Sequence, residues 1–387
     1  MNIDKKQIRQ IYKEMIPIRR HIHSTPELSG FEFETKKQID SYLEKWNIET
    51  IDLSMENASL GIVHGKSPGK TLAIRADIDA LPILEKTEVD FASTNGAMHA
   101  CGHDMHTAIL LGTAKYIQSK QEDLKGSVKF IFQPDEEKNG GAEPMIQAGA
   151  MEGVDYVFGL HVNPNYPCGN IAFRKGFFNA SVDDFTIRVK GKGGHGAHPH
   201  KSNDTVLASA HIITAIQSLI SRRVSPLDPA VISVGTIHGG SKENILPSIV
   251  EMTGTLRAAR EETRDYLFKE IKHLSSSIAK SMHMEIEFEV RYGFIPLVNH
   301  IEETTRLHSA CLEVFEPDQV HWIPEASMGG DDFAYFLKEA PGTYYSLGIG
   351  REGVDNPPIH SEYFNPDEEA IYYGILSQIV AIQEFLG

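Results

Sequence analysis

The feature that most restricts the fold of this chain is the alternation of short apolar runs with longer segments of helical periodicity. Apolar runs bounded by turn residues predict buried strands at residues 71–77, 127–134, 156–162 and 343–350. Helical periodicity predicts helices between and after these runs, at residues 104–119, 141–150 and 366–386. Strands that alternate with helices in this way are typical of an α/β domain with a mixed, mainly parallel sheet.

The middle of the chain follows a different order. Strand patterns lie at residues 183–191, 230–240, 248–258 and 285–293, and helical patterns lie at 204–222 and 260–283. The order βαββαβ is that of a self-contained ferredoxin-like unit with two helices on one sheet. A chain of 387 residues also favours two domains. We therefore predict a domain at 181–293, inserted into a first domain formed by 1–180 and 294–387.

The composition disfavours two classes of binding partner. Acidic residues outnumber basic ones by 53 to 37, a net charge of −16, which disfavours nucleic acid and anionic membranes as partners. No apolar run reaches the length of a membrane span, and the first residues, MNIDKKQIRQIYKEM, lack the apolar core of a signal peptide. Three cysteines do not suggest a disulfide framework. We expect a cytoplasmic protein.

Polar side chains follow the predicted strands of the first domain. At or just beyond the ends of the four strands stand Asp77, Asp79, Gln133, Asp135, Glu136, Glu137, His161 and His360. In open α/β sheets, ligands bind beyond the carboxyl ends of the strands. These residues, scattered over nearly 300 positions, are therefore expected to converge on one edge of one sheet.

The stretch MHACGHDMH, residues 98–106, adds metal-binding side chains to this edge. Cys101 and His103 offer a thiolate and an imidazole, and the candidates that follow the other strands offer carboxylates and further imidazoles. This mixture of sulfur, nitrogen and oxygen suits Zn²⁺, Mn²⁺, Co²⁺ or Ni²⁺ rather than Ca²⁺ or Mg²⁺. The set is too large for one tetrahedral site, so it favours two ions with shared ligands.

Each feature also has an ordinary explanation when taken alone. A histidine at a strand end is usually just hydrogen-bonded, and adjacent glutamates usually form a solvated turn. Cys101 and His103 could form a nucleophilic pair. We interpret His99 and His106 as structural, and Asp104 could cap the following helix. The metal-site interpretation is preferred because all the groups point to one place.

The motifs also resemble a known family along essentially the whole chain. They are RRHIHSTPELSGFE, AIRADIDALPI, MHACGHDMHTAILLG, FIFQPDEE, GLHV, GKGGHGAHPH, ENILPSIVEMTGTLRA, MGGDDFAYF and IHSEYF. The chain resembles the aminoacylase and carboxypeptidase-G-type dinuclear metallopeptidases, and specifically their amidohydrolase branch. That branch includes N-acyl-amino-acid amidohydrolases, hippurate hydrolases and auxin-conjugate hydrolases.

The resemblance implies roles for residues of the first domain. The positions that match metal ligands are Cys101, His103, Glu137, His161 and His360. Cys101 would bridge the two ions, Glu136 matches the general base, and Asp77 matches a carboxylate that orients the site. More distant relatives have a metal-binding histidine where Arg75 stands. The residue types alone leave open which of Glu136 and Glu137 is the ligand and which is the base.

The resemblance also implies roles in the inserted domain, where His195, Asn244 and Arg257 match positions that contact substrate. The guanidinium of Arg257 suits a substrate carboxylate. In relatives, the residues that match His195 and Asn244 often reach a partner subunit, which implies a dimerisation and lid domain. The inserted sheet also has edges that could pair with another copy, so we expect a homodimer or a higher homo-oligomer. Two positions depart from the motifs usual in relatives: Asp331 replaces a longer Glu beside the expected substrate pocket, and Asp135 stands where a small residue is commoner. Both could change specificity.

The function implied by the resemblance is the hydrolysis of N-acyl amino acids or related small amides. The expected cofactors are two divalent metal ions per subunit, Mn²⁺ or Zn²⁺, with Co²⁺ or Ni²⁺ possible. The alternatives are a metallo-aminopeptidase or dipeptidase of the same superfamily and a metal-binding protein without turnover. A spare glutamate beside the ligands argues against the last of these.

Overall fold

The computed structural model describes residues 2–387, which form two compact units. The first unit contains the chain up to Phe178 together with Val298–Glu325 and Asp332–Gly387. The second contains Asn179–Leu297 and Ala326–Asp331. No helix within residues 2–387 combines the length and the apolar character needed to cross a membrane.

The helices and strands are as follows in chain order. The α-helices are α1 Lys5–Ser24, α2 Phe33–Lys45, α3 His103–Ser119, α4 Ala142–Gln147, α5 Thr205–Arg223, α6 Glu261–Ser281, α7 Ile301–Leu312, α8 Phe333–Glu339 and α9 Ala370–Leu386. The strands are β1 Glu49–Thr50, β2 Ser59–His64, β3 Ser67–Asp77, β4 Lys125–Gln133, β5 Tyr156–Pro167, β6 Ile171–Phe173, β7 Gly176–Asn179, β8 Asp183–Lys190, β9 Gly194–His195, β10 Ala230–His238, β11 Ile245–Leu246, β12 Ile249–Ala258, β13 Glu285–Tyr292, β14 Leu297–Asn299, β15 Val320–Trp322 and β16 Gly342–Gly350.

The first unit is built on an eight-stranded sheet in the order β1-β2-β4-β3-β5-β16-β6-β15. Its four central strands, β4, β3, β5 and β16, are mutually parallel, whereas β2 and β6 run antiparallel to their neighbours β4 and β16. The predicted α/β fold with a mixed, mainly parallel sheet is confirmed. The parallel register aligns Asp77 of β3 with Gln133 of β4, so both strands end at the same edge.

The central strands are apolar because they are covered on both faces. Every residue of β16 is buried, as are the last six residues of β3. Helices α1, α3 and α9 pack against one another, and α3 and α9 also pack against β3. This burial explains why the strands appear in the sequence as continuous apolar runs rather than as alternating patterns.

The second unit contains an antiparallel sheet in the order β10-β12-β8-β13, on which α5 and α6 pack. Strand β8 alternates buried and more exposed residues, as expected for a sheet covered by helices on one face only. The chain order of these elements is βαββαβ, with the short pair β9 and β11 added. The role of this unit in dimerisation or as a lid stays a prediction.

Candidate metal centre

The candidate site of the first unit lies where the parallel strands end. Asp77 is the last residue of β3, and Glu136 and Glu137 follow the end of β4. His161 lies in β5, which continues to Pro167 and is therefore longer than the predicted strand. His360 follows β16 and has a left-handed backbone, with φ of 63°.

Cys101 and His103 are brought to this edge by the entry into α3. His103 is the first residue of the helix, and the preceding Gly102 has φ of 90°, in the left-handed region. A Cβ atom on Gly102 would lie 2.4 Å from Val162 Cγ2, next to His161. Only glycine therefore allows both the turn and the close approach of the Cys101 loop to β5.

Replacement of Gly102 by Ala is expected to destabilise the fold by about 1–2 kcal/mol from backbone strain, and by more from the contact with Val162. Gly96 is a matched control because its φ is 87° and no atom lies within 4 Å of its Cβ position. Thermal unfolding of G102A and G96A would measure the difference. Equal losses in the two variants would show that the contact with Val162 does not matter.

The predicted ligand side chains converge on Cys101. Its Sγ lies 3.3 Å from His161 Nε2 and 3.3 Å from His360 Nε2. Glu137 Oε1 lies 3.1 Å from His360 Nε2 and 3.9 Å from His103 Nε2. Five side chains from five separate positions of the chain thus present donor atoms to one small volume, with the thiol between two imidazoles.

The histidine rings are oriented by their other nitrogen atoms. His103 Nδ1 lies 3.0 Å from both the backbone carbonyl and the Oδ1 atom of Asp79, so it donates to Asp79. His161 Nδ1 donates to the Val162 carbonyl at 2.7 Å. These contacts turn the Nε2 atoms of both rings toward the cluster, the arrangement found in metal-binding histidines.

Two buried atoms of this cluster, His103 Nε2 and Glu137 Oε1, make no well-aligned hydrogen bond to any residue from 2 to 387, although Glu137 Oε1 lies 3.1 Å from His360 Nε2. Buried polar atoms in folded proteins normally have partners. An imidazole nitrogen and a carboxylate oxygen that lack well-aligned partners and lie 3.9 Å apart are what a cation site requires. The residues present therefore fit divalent ions with sulfur, nitrogen and oxygen ligands.

The electrostatics of the cluster also favour a cation. Burial, together with the charges of Glu137 and Glu136, raises the pKa of the Cys101 thiol well above its usual range. Burial lowers the pKa of His161 to about 3, so its imidazole is neutral at neutral pH. A nearby positive charge is needed to ionise the Cys101 thiol. The neutral form of the His161 imidazole is the one that can bind a metal cation.

Glu136 lies beside these ligands and is buried, with 7% of its surface exposed. One of its carboxylate oxygens, an imidazole nitrogen of His103 and a carboxylate oxygen of Glu137 all lie within 4.8 Å of one another. The structure therefore brings Glu136 to the same cluster as Glu137. It does not assign the base and the ligand between them, and that assignment stays a prediction.

Asp77 is held beneath the cluster by a cation and a histidine. Arg75 Nη1 donates to Asp77 Oδ2 at 2.7 Å, and His106 Nδ1 contacts Asp77 Oδ1. The same Oδ2 lies 3.4 Å from His103 Nε2. Although burial opposes ionisation, Arg75 and the two histidines hold the pKa of Asp77 well below its usual range.

His106 is occupied on both ring nitrogens. Its Nε2 accepts from the Val162 backbone N–H at 3.0 Å, and its Nδ1 contacts Asp77. His106 thus links Asp77 to the backbone beside His161 and has no lone pair left for a metal. This agrees with its structural interpretation from the sequence.

Two supporting roles were not predicted from the sequence. Asp79 holds His103 and also accepts from the Glu137 backbone N–H at 3.0 Å, so it connects two candidate ligands. Asp104 is buried and binds Arg19 at 2.6 Å and His23 at 2.8 Å, but its side chain does not cap α3. The two-residue spacing of Asp77 and Asp79 was the available signal for Asp79.

The predicted substrate-binding residues lie in the second unit. His195 of β9 pairs with Ile245 of β11, and the Gly196 N–H donates to the Asn244 carbonyl at 2.8 Å, so His195 and Asn244 are neighbours. Arg257 lies in β12, where its Nη1 donates to the Leu256 carbonyl at 3.0 Å and to Thr255. Their contact with substrate stays a prediction.

The cluster defines a class of site, a candidate metal centre of thiol, imidazole and carboxylate side chains with a further carboxylate beside it. Comparison with known proteins identifies the family of the chain. The model of the Peptidase family M20/M25/M40 matches residues 73–381. The chain belongs to this family.

Similar proteins cover almost the whole chain. A thermostable carboxypeptidase 1 of Saccharolobus solfataricus is 40% identical over 98% of each chain. An N-acetylcysteine deacetylase of Bacillus subtilis is 38% identical over 95% of this chain and 97% of the relative. The crystal structure of a dinuclear metal-binding peptidase of the M20 family from Bacillus subtilis has a TM-score of 0.85 at 33% identity, over 98% of this chain and 100% of the other.

Proposed function

We propose that this protein is a metal-dependent amidohydrolase that cleaves the amide bond of N-acyl amino acids. The observation that carries this proposal is the cluster of Cys101, His103, Glu137, His161 and His360, with the buried Glu136 beside it. Membership of a hydrolase family and similarity to a deacetylase support it. A site that only binds metal ions would not require the additional carboxylate of Glu136.

The five ligand residues would hold two divalent ions, with Cys101 as the shared ligand. Divalent ions at such a site supply a Lewis acid and lower the pKa of water from about 15.7 to near 7. Similarity to a dinuclear metal-binding peptidase supports the number two. We propose Mn²⁺ or Zn²⁺, with Co²⁺ or Ni²⁺ as further candidates, because the ligand set suits all four.

In this mechanism Glu136 accepts a proton from the attacking water and then donates it to the departing amine. Asp77, fixed by Arg75, holds its negative charge beneath His103 and keeps the ligand cluster in place. His195 would donate to the developing oxyanion, and Arg257 would bind the substrate carboxylate through its planar fork. Asn244, the neighbour of His195, would contribute to the same substrate contacts.

The substrate class follows from the chemistry that the two relatives share. A carboxypeptidase and an N-acetylcysteine deacetylase both cleave an amide whose nitrogen belongs to an amino acid with a free carboxylate. An aminopeptidase instead requires a free amine on the acyl side. The proposed role of Arg257 fits the first requirement, so an N-acyl amino acid is preferred over an aminopeptidase substrate.

The test is a panel of N-acetyl and N-benzoyl amino acids, indole-acyl amino acids and dipeptides, each with added Mn²⁺ or Zn²⁺ and with chelator. We expect amine release from acyl amino acids that chelation abolishes and metal restores. Release from dipeptides alone would make the protein a dipeptidase or aminopeptidase. Release that persists in chelator would indicate the Cys101 thiol as nucleophile, and absence of release with metals bound would indicate a binding protein.

We also propose a homodimer or higher homo-oligomer formed through the second unit, whose sheet has two edge strands, β10 and β13. An exposed strand edge is a ready surface for pairing with a second copy. Sedimentation equilibrium at assay concentration would measure the mass. A monomer at that concentration would overturn this proposal. The cytoplasmic location stays a prediction.

A further inference from the structure

The loop that carries Glu136 has an unusual backbone at the preceding residue. Asp135 has φ of 57°, in the left-handed region that non-glycine residues rarely adopt. The Asp135 carbonyl accepts from the Gly140 N–H at 2.9 Å, and its side chain accepts from Asn139, so the loop closes on itself. A conformation of this kind persists only when its surroundings hold it.

The group that holds Asp135 from outside the loop is the carboxylate of Glu32, whose surface is completely buried. Glu32 Oε1 accepts from the backbone N–H groups of Asp135 and Gly30, both at 2.8 Å, and Oε2 accepts from Asn57 Nδ2 at 2.9 Å. Glu32 stands at the N-cap position of α2, yet its side chain does not cap that helix. Its hydrogen bonds go to other segments instead.

Glu136 therefore lies between two residues whose backbone N–H groups donate to buried carboxylates. On one side Glu32 accepts from Asp135, and on the other Asp79 accepts from Glu137. Asp79 belongs to the metal centre because it also holds His103. Glu32 lies 103 residues before Asp135 in the chain and has no ligand among its hydrogen-bond partners.

We propose that Glu32 is a positioning residue that fixes the backbone of Asp135 and thereby the direction of the Glu136 carboxylate. Without this acceptor the Asp135 N–H loses its buried partner, and the left-handed conformation loses one of its restraints. Glu136 then turns away from its position beside His103 and Glu137. The catalytic consequence rests on the proposed function, whereas the effect on the loop does not.

The experiment compares Glu32→Ala and Glu32→Gln with a matched control, Glu27→Ala. Glu27 also accepts backbone N–H groups at the start of α2, from Glu34 and Thr35, and has no hydrogen bond to the loop at 134–141. The amide introduced in E32Q would keep an oxygen for Gly30 and Asp135. Its NH₂ group would face Asn57, which can rotate its own amide to present the oxygen.

Four quantities are measured for each variant: amide hydrogen exchange of the segment 133–141, bound metal, kcat and KM. For E32A we expect faster exchange in this segment, unchanged metal content and a kcat lowered by about 10–100-fold, because a displacement of about 1 Å can cost 100-fold. KM should change little, since Glu32 is not placed at the substrate. E32Q should regain most of kcat and of the exchange protection, and E27A should behave as the wild type.

Unchanged exchange at 133–141 in E32A would overturn the proposal, as would an equal loss in E27A or a kcat that falls only together with metal content. If E32A does not fold, E32Q carries the test: exchange and kcat near those of the wild type support the role of the oxygen acceptor, and loss of both with metal retained contradicts it. If the wild type hydrolyses no amide, the exchange experiment still decides the structural claim. Failure of the proposed function is thereby separated from failure of this inference.

Discussion

Replacement of Glu136 by Gln is expected to lower kcat for amide hydrolysis by about 10²–10⁴-fold while metal content stays that of the wild type. General acid–base catalysis typically contributes a factor of this size, and an amide of nearly the same shape cannot accept the proton. Glu136 is buried beside His103 and Glu137, so the substitution changes charge and basicity rather than packing. Steady-state kinetics and elemental analysis of the purified variant would measure both quantities.

The companion variant Glu137→Gln decides between the two adjacent glutamates. If Glu137 is the ligand, E137Q loses metal and E136Q does not, whereas the opposite result would exchange their roles. Glu143→Gln is a matched control because Glu143 lies exposed at the start of α4. Turnover retained by E136Q would remove Glu136 from the mechanism.

Replacement of Cys101 by Ala has the second large expected effect, the loss of at least one of the two metal ions and of nearly all activity. Cys101 Sγ lies 3.3 Å from imidazole nitrogens of both His161 and His360, so the thiol is the group best placed to be shared. Loss of a partner that only supports a ligand typically costs 10–100-fold in metal affinity. Direct removal of a shared ligand should therefore cost more than about 100-fold.

Metal titration monitored by calorimetry would measure the change, with Cys168→Ala as the control. Cys168 is half-buried, and its burial raises the pKa of its thiol to about 12, but it lies outside the cluster. Two ions bound by C101A at wild-type affinity would exclude the bridging role. Activity lost with both ions retained would instead favour the thiol as a nucleophile.

The architecture of the first unit could be predicted because its central strands are buried on both sides. Strands β3, β4, β5 and β16 appear in the sequence as apolar runs, and the predicted mainly parallel sheet is confirmed. The short strands β1 and β15 were missed because two or three residues carry no periodicity. They are defined by their neighbours in the sheet rather than by their own side chains.

The convergence of the site could be predicted from topology, but its supporting contacts could not. The end of β3, the loop after β4 and strand β5 meet at one edge, which is why Asp77, Glu136, Glu137 and His161 come together. The partners that orient them depend on contacts between distant segments, such as Glu32 with Asp135 over 103 residues. Such a contact cannot be predicted from the residue pattern of a single strand or helix.

The residue types alone could not show which of Glu136 and Glu137 is the general base, because two adjacent carboxylates have the same chemistry. Glu136 was chosen on other grounds. That choice came from resemblance to a family and not from spacing or burial. The structure adds that both carboxylates lie at the cluster and that Glu137 Oε1 is 3.1 Å from His360 Nε2. Kinetic and metal measurements on the two variants are what distinguish them.

The position of β16 in the sheet determines when this protein can become active during its synthesis. β16 lies between β5 and β6, and His360 follows it, 259 residues after Cys101. At about 5–20 residues per second, a ribosome needs roughly 13–50 s to add those residues. From the completion of β5 at Pro167 until β16 begins at Gly342, the edge of β5 that β16 will occupy is unpaired and open to wrong partners. Assembly of the centre is therefore a late event, completed only after β16 has entered the sheet between β5 and β6 and His360 has followed it.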